Sequence, residues 1–201
     1  MDQIIINDLN NDNLNELNDT SFVLVYYDSF GNISNIKNLN YLNKLVNIGR
    51  LENLIKKKIN TYNFKTLFNR KYLPIANSIY LNYDKINIIY VPIMWINQDV
   101  SNTNNLYNAY VSVLLHLYKI KQILGIKSKL KLFINKLSNI KDDYHLNKAI
   151  DYCQDYLNEN KNFFLETLDY KEDINIFLGN FNINEQPPIY QNNEFRELNY
   201  T

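Results

Sequence analysis

Apolar and polar positions divide this chain into short β-branched runs separated by stretches of helical period. Phe22 to Tyr27 (Phe-Val-Leu-Val-Tyr-Tyr) is an unbroken apolar run of strand length, continuous enough to be buried on both faces, and the β-branched apolar run from Ile86 to Ile93 predicts another buried strand. Gln3 to Ile6, Lys129 to Ile134 and Ile174 to Leu178 predict further strands. Leu73 to Leu81 and Ile86 to Ile93 flank Asn82-Tyr83-Asp84-Lys85, which predicts a β-hairpin with a four-residue loop. Helical spacing occurs at Leu39, Leu42, Leu45 and Val46, and after Gly49 at Leu51, Leu54, Ile55 and Ile59. It returns at Leu106, Ala109, Tyr110, Val113, Leu114, Leu117 and Leu124, and again at Leu146, Ala149, Ile150, Cys153 and Leu157. The polar stretch from Asn10 to Asp19 has weak helical character at best.

Local punctuation supports these elements. Ser101 or Thr103 is placed to cap the long third helix, Asp99 just ahead complements its macrodipole, and Leu124-Gly125 ends it. Strands alternating with helices predict an α/β domain over residues 1–181. From Asn182 onward, Pro187-Pro188 and polar residues predict an extended tail, 182–201, rather than a second domain. Asp8, the Asp28 to Asn35 loop, Trp95 to Asn102 and Asn135 to Asp142 all follow predicted strands. If those strands are parallel, the four loops gather at one edge of the sheet, where α/β proteins hold nucleotide-like ligands.

Composition narrows the functional classes. The 201 residues are 46% apolar, enough for one real core, and the charges balance at +0. Neutrality removes the electrostatic argument for nucleic acid or an anionic membrane, and Lys56-Lys57-Lys58 reads as the solvated face of a helix. Abundant Asn, Ile, Lys and Tyr, all with A/T-rich codons, point to an AT-rich genome: a parasite, a bacterium or a large DNA virus. Ile4-Ile5-Ile6 is too short for a signal or membrane span, so a soluble protein of the cytoplasm is expected, or of the host cytoplasm or virion if viral.

One cysteine and two distant histidines offer no metal-ligand spacing, and no cofactor motif is present. Cys153 lies on an apolar stripe and reads as a small buried hydrophobe. His116 falls on the helix face opposite the stripe and is expected to be exposed. Trp95 closes a strand beside the expected ligand edge, either as a core or rim aromatic or as a platform for a base or ribose.

Five segments, in order, carry a resemblance: Asn7-Asp8-Leu9, Asp28-Ser29-Phe30-Gly31, Leu73-Pro74-Ile75, Pro92-Ile93-Met94, and Asp99-Val100-Ser101-Asn102-Thr103-Asn104 running into Asn105-Leu106-Tyr107 or, with the alignment slid, into Asn108-Ala109-Tyr110. Over roughly residues 3–181 the chain resembles the macro-domain-like proteins of bacteria and phages. The resemblance implies a three-layer α/β/α fold with a mixed central sheet and ADP-ribose as ligand. It places Asp8, with Leu9, at the adenine amino group. Asp28, Ser29, Phe30, Gly31 and Asn32 fall around the distal ribose and diphosphate. Trp95 and Asp99 precede the long helix, and Ser138 and Asn139 stand on the second phosphate loop.

The departures bear on activity. Asn135 to Lys141 contains no glycine, and Asn32-Ile33-Ser34-Asn35 stands where a glycine pair is expected, although close approach of backbone to phosphate needs glycine. Asp28 replaces the asparagine of the distal ribose, putting a carboxylate where it repels a diphosphate. The leading expectation is therefore a module that binds ADP-ribose or a related nucleotide weakly if at all, without catalysis. The alternative is a degenerate macro fold serving as a structural or protein-interaction module, with Asp8, Asp28 and Asp99 as turn formers and caps. An ADP-ribosyl or ADP-ribose phosphoester hydrolase, with Asp28 as base on a bound water, is the lesser alternative.

Overall fold

The computed structural model describes residues 3–36, 39, 41–62, 66–67, 70–96, 100, 103–135, 142–160 and 174–179. Its centre is a parallel pair, β2 (Ser21–Asp28) and β6 (Ile86–Met94). Every residue of β2 is buried, as is every residue of β6 after Ile86, which is why both are dominated by apolar residues. Around them lie β1 (Ile4–Asp8), β5 (Ser78–Tyr83), β7 (Leu130–Ile134) and β8 (Ile176–Phe177), in the order β1-β7-β2-β6-β5-β8. β1, β7, β2 and β6 run parallel, while β5 is antiparallel to β6 and β8 is antiparallel to β5. The short strands β3 (Thr66–Leu67) and β4 (Arg70–Lys71) form a separate ladder.

Helices cover both faces, giving a three-layer α/β/α fold with a mixed sheet. α1 (Leu42–Leu45) is a single turn, and α2 (Ile48–Thr61) buries Leu51, Ile55 and Ile59. α3 (Asn105–Ile123) and α4 (Asp142–Glu159) pack against each other on the opposite side. Side-chain alternation along β5 separates the layers: Tyr83 takes the N–H of Asn47, the α2 cap, while Ser78, five residues earlier, meets His116 of α3.

Several expectations change. The hairpin loop has two residues, not four: Asp84 (φ 45°) and Lys85 (φ 74°) form the mirror-image turn that suits right-twisted strands. Its first strand starts at Ser78 rather than Leu73, because residues 72–77 turn back against the end of β6, with the Ala76 N–H on the Pro92 carbonyl at 2.9 Å. The first strand runs on to Asp8, the last spans only Ile176–Phe177, and the stripe from Leu39 to Val46 yields just one helical turn. α3 begins at Asn105, with the Thr103 hydroxyl accepting its N–H at 3.3 Å; Ser101 lies outside the described residues. Gly125 (φ +62°) closes α3 as expected.

His116 overturns its expected exposure: it is fully buried. Segment 174–179 covers the flank of α3 that the apolar stripe left open, and the His116 ring stacks on Phe177 with centroids 6.0 Å apart. Nε2 lies 2.8 Å from the Ile174 carbonyl and Nδ1 lies 2.8 Å from the Ser78 hydroxyl. A carbonyl only accepts, so Nε2 carries the hydrogen and Nδ1 accepts from Ser78. The Ser112 hydroxyl in turn donates to Ser78 at 3.1 Å. Tyr80 N–H to Asn175 carbonyl, and Gly179 N–H to the Asn77 side-chain oxygen, complete the attachment of this segment.

Candidate functional site

Because β1, β7, β2 and β6 are parallel, the chain leaves them at Asp8, Ile134, Asp28 and Met94 along one edge of the sheet. The strand ends share one end of the sheet as expected, while most of the Trp95 to Asn102 and Asn135 to Asp142 loops lies outside the described residues. Asp8 is level with Leu24 through Ile134, so Asp28 stands two strands across and four residues further along, roughly 16 Å away at about 4.8 Å per strand and 3.3 Å per residue. Asp8 is exposed, and its carbonyl accepts the Asn13 side-chain amide at 2.5 Å. Leu9 turns inward, buried, with its N–H on the Ile134 carbonyl at 2.8 Å.

The Asp28 loop is built from the inside. Pairing of β2 with β6 slips by one residue between Tyr27 and Asp28, and Asp28, the last residue of the wholly buried β2, is 1% exposed. One carboxylate oxygen accepts the N–H groups of Phe30 and Asn32, both at 3.0 Å, and the other accepts the Asn32 side-chain amide at 2.7 Å. The Asp28 carbonyl takes the Gly31 N–H at 3.2 Å and the Tyr90 hydroxyl. Burial pushes the carboxyl pKa up, while the hydrogen bonds from Asn32 and Phe30 pull against it.

Two N–H groups of this turn therefore point at the protein's own carboxylate. Ser29 is locked as well, its N–H and hydroxyl on the Met94 carbonyl at 2.9 and 3.2 Å and its carbonyl on the Leu73 N–H at 2.8 Å. Gly31, at φ +80°, has a packing reason: a Cβ there would sit 2.8 Å from Cγ2 of Ile55 in α2.

Trp95 joins a second, smaller core with Phe30, Tyr72, Ile75 and Ala76. Its ring meets Tyr72 edge-on at 5.2 Å, Tyr72 meets Phe30 at 6.3 Å, and the Arg70 guanidinium lies 5.3 Å above Phe30. The indole Nε1–H is buried and has no hydrogen-bond partner among the described residues. Buried N–H groups are rarely left without a partner, so this donor stands out. Sequence reasoning did not identify Tyr72 or Ala76 as neighbours of Trp95, or Arg70 as a neighbour of Phe30. The only local signal was Leu73-Pro74, which marks a turn without saying what it folds against.

Leu24, Val25 and Tyr26 of β2, with Ile36, Leu39 and Leu42 and with Asn135 just after β7, line a small cavity. Its volume for a water centre is about 10 Å³, room for one water and far below a nucleotide pocket. Asp99, Ser138 and Asn139, together with Leu137 and Ile140, lie outside the described residues. Among the described residues no three His, Cys, Asp or Glu groups come together as a metal site. Cys153 is fully buried, its thiol pushed up to about 12 by burial, so it packs as a small hydrophobe.

The structure thus groups Asp28, Ser29, Phe30, Gly31 and Asn32 in one turn and sets Trp95 behind Phe30 through Tyr72. It keeps Asp8 and Leu9 two strands away. No family model matches this sequence, and no curated protein or solved structure matches it either.

Proposed function

We propose that the chain is a non-catalytic, macro-domain-like module that binds ADP-ribose or a related nucleotide weakly, through base and ribose rather than diphosphate. The observation that carries this reading is the buried, unpartnered Nε1–H of Trp95 at the carboxyl edge of the parallel strands. It is a donor waiting for an acceptor where α/β folds hold ligands. Phosphate recognition is the weak part, because the Phe30 and Asn32 N–H groups already serve Asp28. The same arrangement argues against hydrolysis, since neither Asp28 oxygen is left without a donor to work on a water.

A second reading has its own support. The closed Asp28 turn and the exposed Tyr144 and Tyr152 of α4 fit a macro-like fold kept as a structural or protein-interaction module, with Asp28 a turn former.

Thermal shift separates the two. Under the binding reading, millimolar ADP-ribose and millimolar adenosine raise the melting temperature by similar amounts. A ligand at about ten times its Kd stabilises by about 1.4 kcal/mol, a few degrees for a domain of this size. Trp95→Phe removes the donor while keeping the ring, and should abolish the shift. A folded protein that shifts with neither ligand leaves only the interaction reading.

A further inference from the structure

We infer that this chain associates head to tail with further copies of itself, the outer face of α4 in one copy docking on the outer face of α2 in the next. The neutral total hides two poles. α4 carries five carboxylates against Lys148, whereas α2 carries Arg50, Lys56, Lys57 and Lys58 against Glu52.

The charges on α4 are ordered. Asp143, Asn147, Asp151, Asp155 and Glu159 follow one row at a spacing of four residues, and all are exposed. The adjoining row is Tyr144, Lys148, Tyr152 and Tyr156. Tyr144 is 55% exposed and Tyr152 46%, and the Tyr152 ring stacks on Tyr156 at 6.0 Å. Asp151, Asp155 and Glu159 repel one another along their row, and among the described residues no cation pairs with them. A helix about 27 Å long therefore offers a polar-aromatic ridge beside an acidic one, of which Asp151, Asp155 and Glu159 have no cation among the described residues.

What fits that surface is displayed on the molecule itself. Lys148 sits over the Tyr144 ring, its Nζ 4.6 Å from the centroid. On α2, Arg50 is held by Asp84 at 2.8 Å and Lys56 by Glu52 at 2.5 Å, but Lys57 and Lys58 have no carboxylate among the described residues. With exposed Asn53 and Asn60 and half-buried Leu54 beside them, these lysines form a cationic face. Lys57 and Lys58 of one copy would lie on Tyr152 and Tyr156 of the next, as Lys148 lies on Tyr144, and would answer Asp151 and Asp155.

The layering dictates the geometry. α2 and α4 lie on opposite sides of the sheet, so one pair of molecules cannot satisfy both faces at once. The contact is heterologous and leaves a free face at each end, so it propagates. The charged contact also makes it depend on salt.

Sedimentation of the full chain tests this. From about 10 μM to about 1 mM protein in about 20 mM salt, the weight-average mass should climb without a plateau at twice the monomer. In about 500 mM salt, where the Debye length falls to about 4 Å, it should return to the monomer. Asp151→Lys/Asp155→Lys and Lys57→Asp/Lys58→Asp, all at exposed or half-buried positions, should each be monomeric alone. Mixed one to one, they should associate again, because each restores the opposite charge the other needs. Circular dichroism confirms that both variants are folded. A wild-type chain that stays monomeric in low salt overturns the inference and leaves the α4 face to a different cationic partner. Association that persists in either variant alone overturns it as well.

Discussion

Gly31 and Ile55 are in such close contact that no side chain fits between them: a Cβ on Gly31 would lie 2.8 Å from Cγ2 of Ile55 and 3.4 Å from Cδ1 of Ile59. At φ +80° the backbone also occupies the left-handed region. The glycine of Ser29-Phe30-Gly31 thus has a sufficient cause in helix packing, since α2 can close onto the turn after β2 only if position 31 has no side chain. The turn and the helix form one unit, and phosphate contact is not needed to explain the motif.

Gly31→Ala should accordingly destabilise the protein by about 1–3 kcal/mol, from backbone strain plus displacement of Ile55. Urea unfolding measures this. A loss of less than a few tenths of a kcal/mol would mean that α2 does not close on this turn.

Asp28 couples stability to pH. Its folded carboxyl titrates above the ordinary value of 3.8, so in the window above that value the folded state holds a proton the unfolded state has released. Stability contributed by this group is full below the ordinary value and is lost as pH rises through the folded pKa. Asp28→Asn keeps an oxygen for the Phe30 and Asn32 N–H groups, and the Asn32 amide can turn to accept. The stability of Asp28→Asn relative to wild type should therefore rise with pH through that window, as read by urea melts at stepped pH. Asp28→Ala leaves both N–H groups unsatisfied and should cost about 1–3 kcal/mol at every pH. A pH-independent difference between Asp28→Asn and wild type would refute the raised titration.

Lys85 occupies φ 74° in the two-residue turn, a conformation that glycine adopts freely. Lys85→Gly should stabilise the hairpin by about 0.4–1 kcal/mol, seen as a higher urea midpoint at unchanged slope. Asp84 keeps its Arg50 partner, an exposed pair at 2.8 Å that adds little by itself. Destabilisation would show that the lysine side chain matters more than the turn.

Cys153, fully buried and with its thiol pushed up to about 12, should resist a thiol reagent at mildly alkaline pH in the native state. Labelling should proceed only through opening of the α3–α4 contact, where Sγ lies 3.8 Å from the Val111 carbonyl. Its rate should therefore fall in step with added stability. Fast labelling of the folded protein would place the thiol on a surface instead.

Much of the fold was legible because its signals are local. Phe22 to Tyr27 and Ile86 to Ile93 announce buried strands through their own composition, and Gly125 closes α3 through its own backbone freedom. The stripe of Leu146, Ala149, Ile150, Cys153 and Leu157 identified α4 by period alone. His116 shows where that reasoning stops. Helical period assigns a face relative to one neighbour, and α3 has neighbours on several sides. What buries His116 is segment 174–179, more than fifty residues away, and no periodicity in α3 announces it.

The candidate site divides along the same line. The sequence alone determined the alternation of strands and helices and the loops that follow the strands, because hydrophobic period and turn chemistry are written in neighbouring residues. Parallel pairing then brought those loops to one edge. Only the tertiary structure decided what the residues there do. It turned the Asp28 carboxylate onto the Phe30 and Asn32 N–H groups, gave Gly31 to Ile55, and enclosed Trp95 with Tyr72 while leaving its Nε1 without an acceptor. The physical reason is that a hydrogen bond or a close contact is settled by whichever group arrives within about 3 Å; at Asp28 that group comes from the turn that follows, and at Gly31 from another layer of the fold.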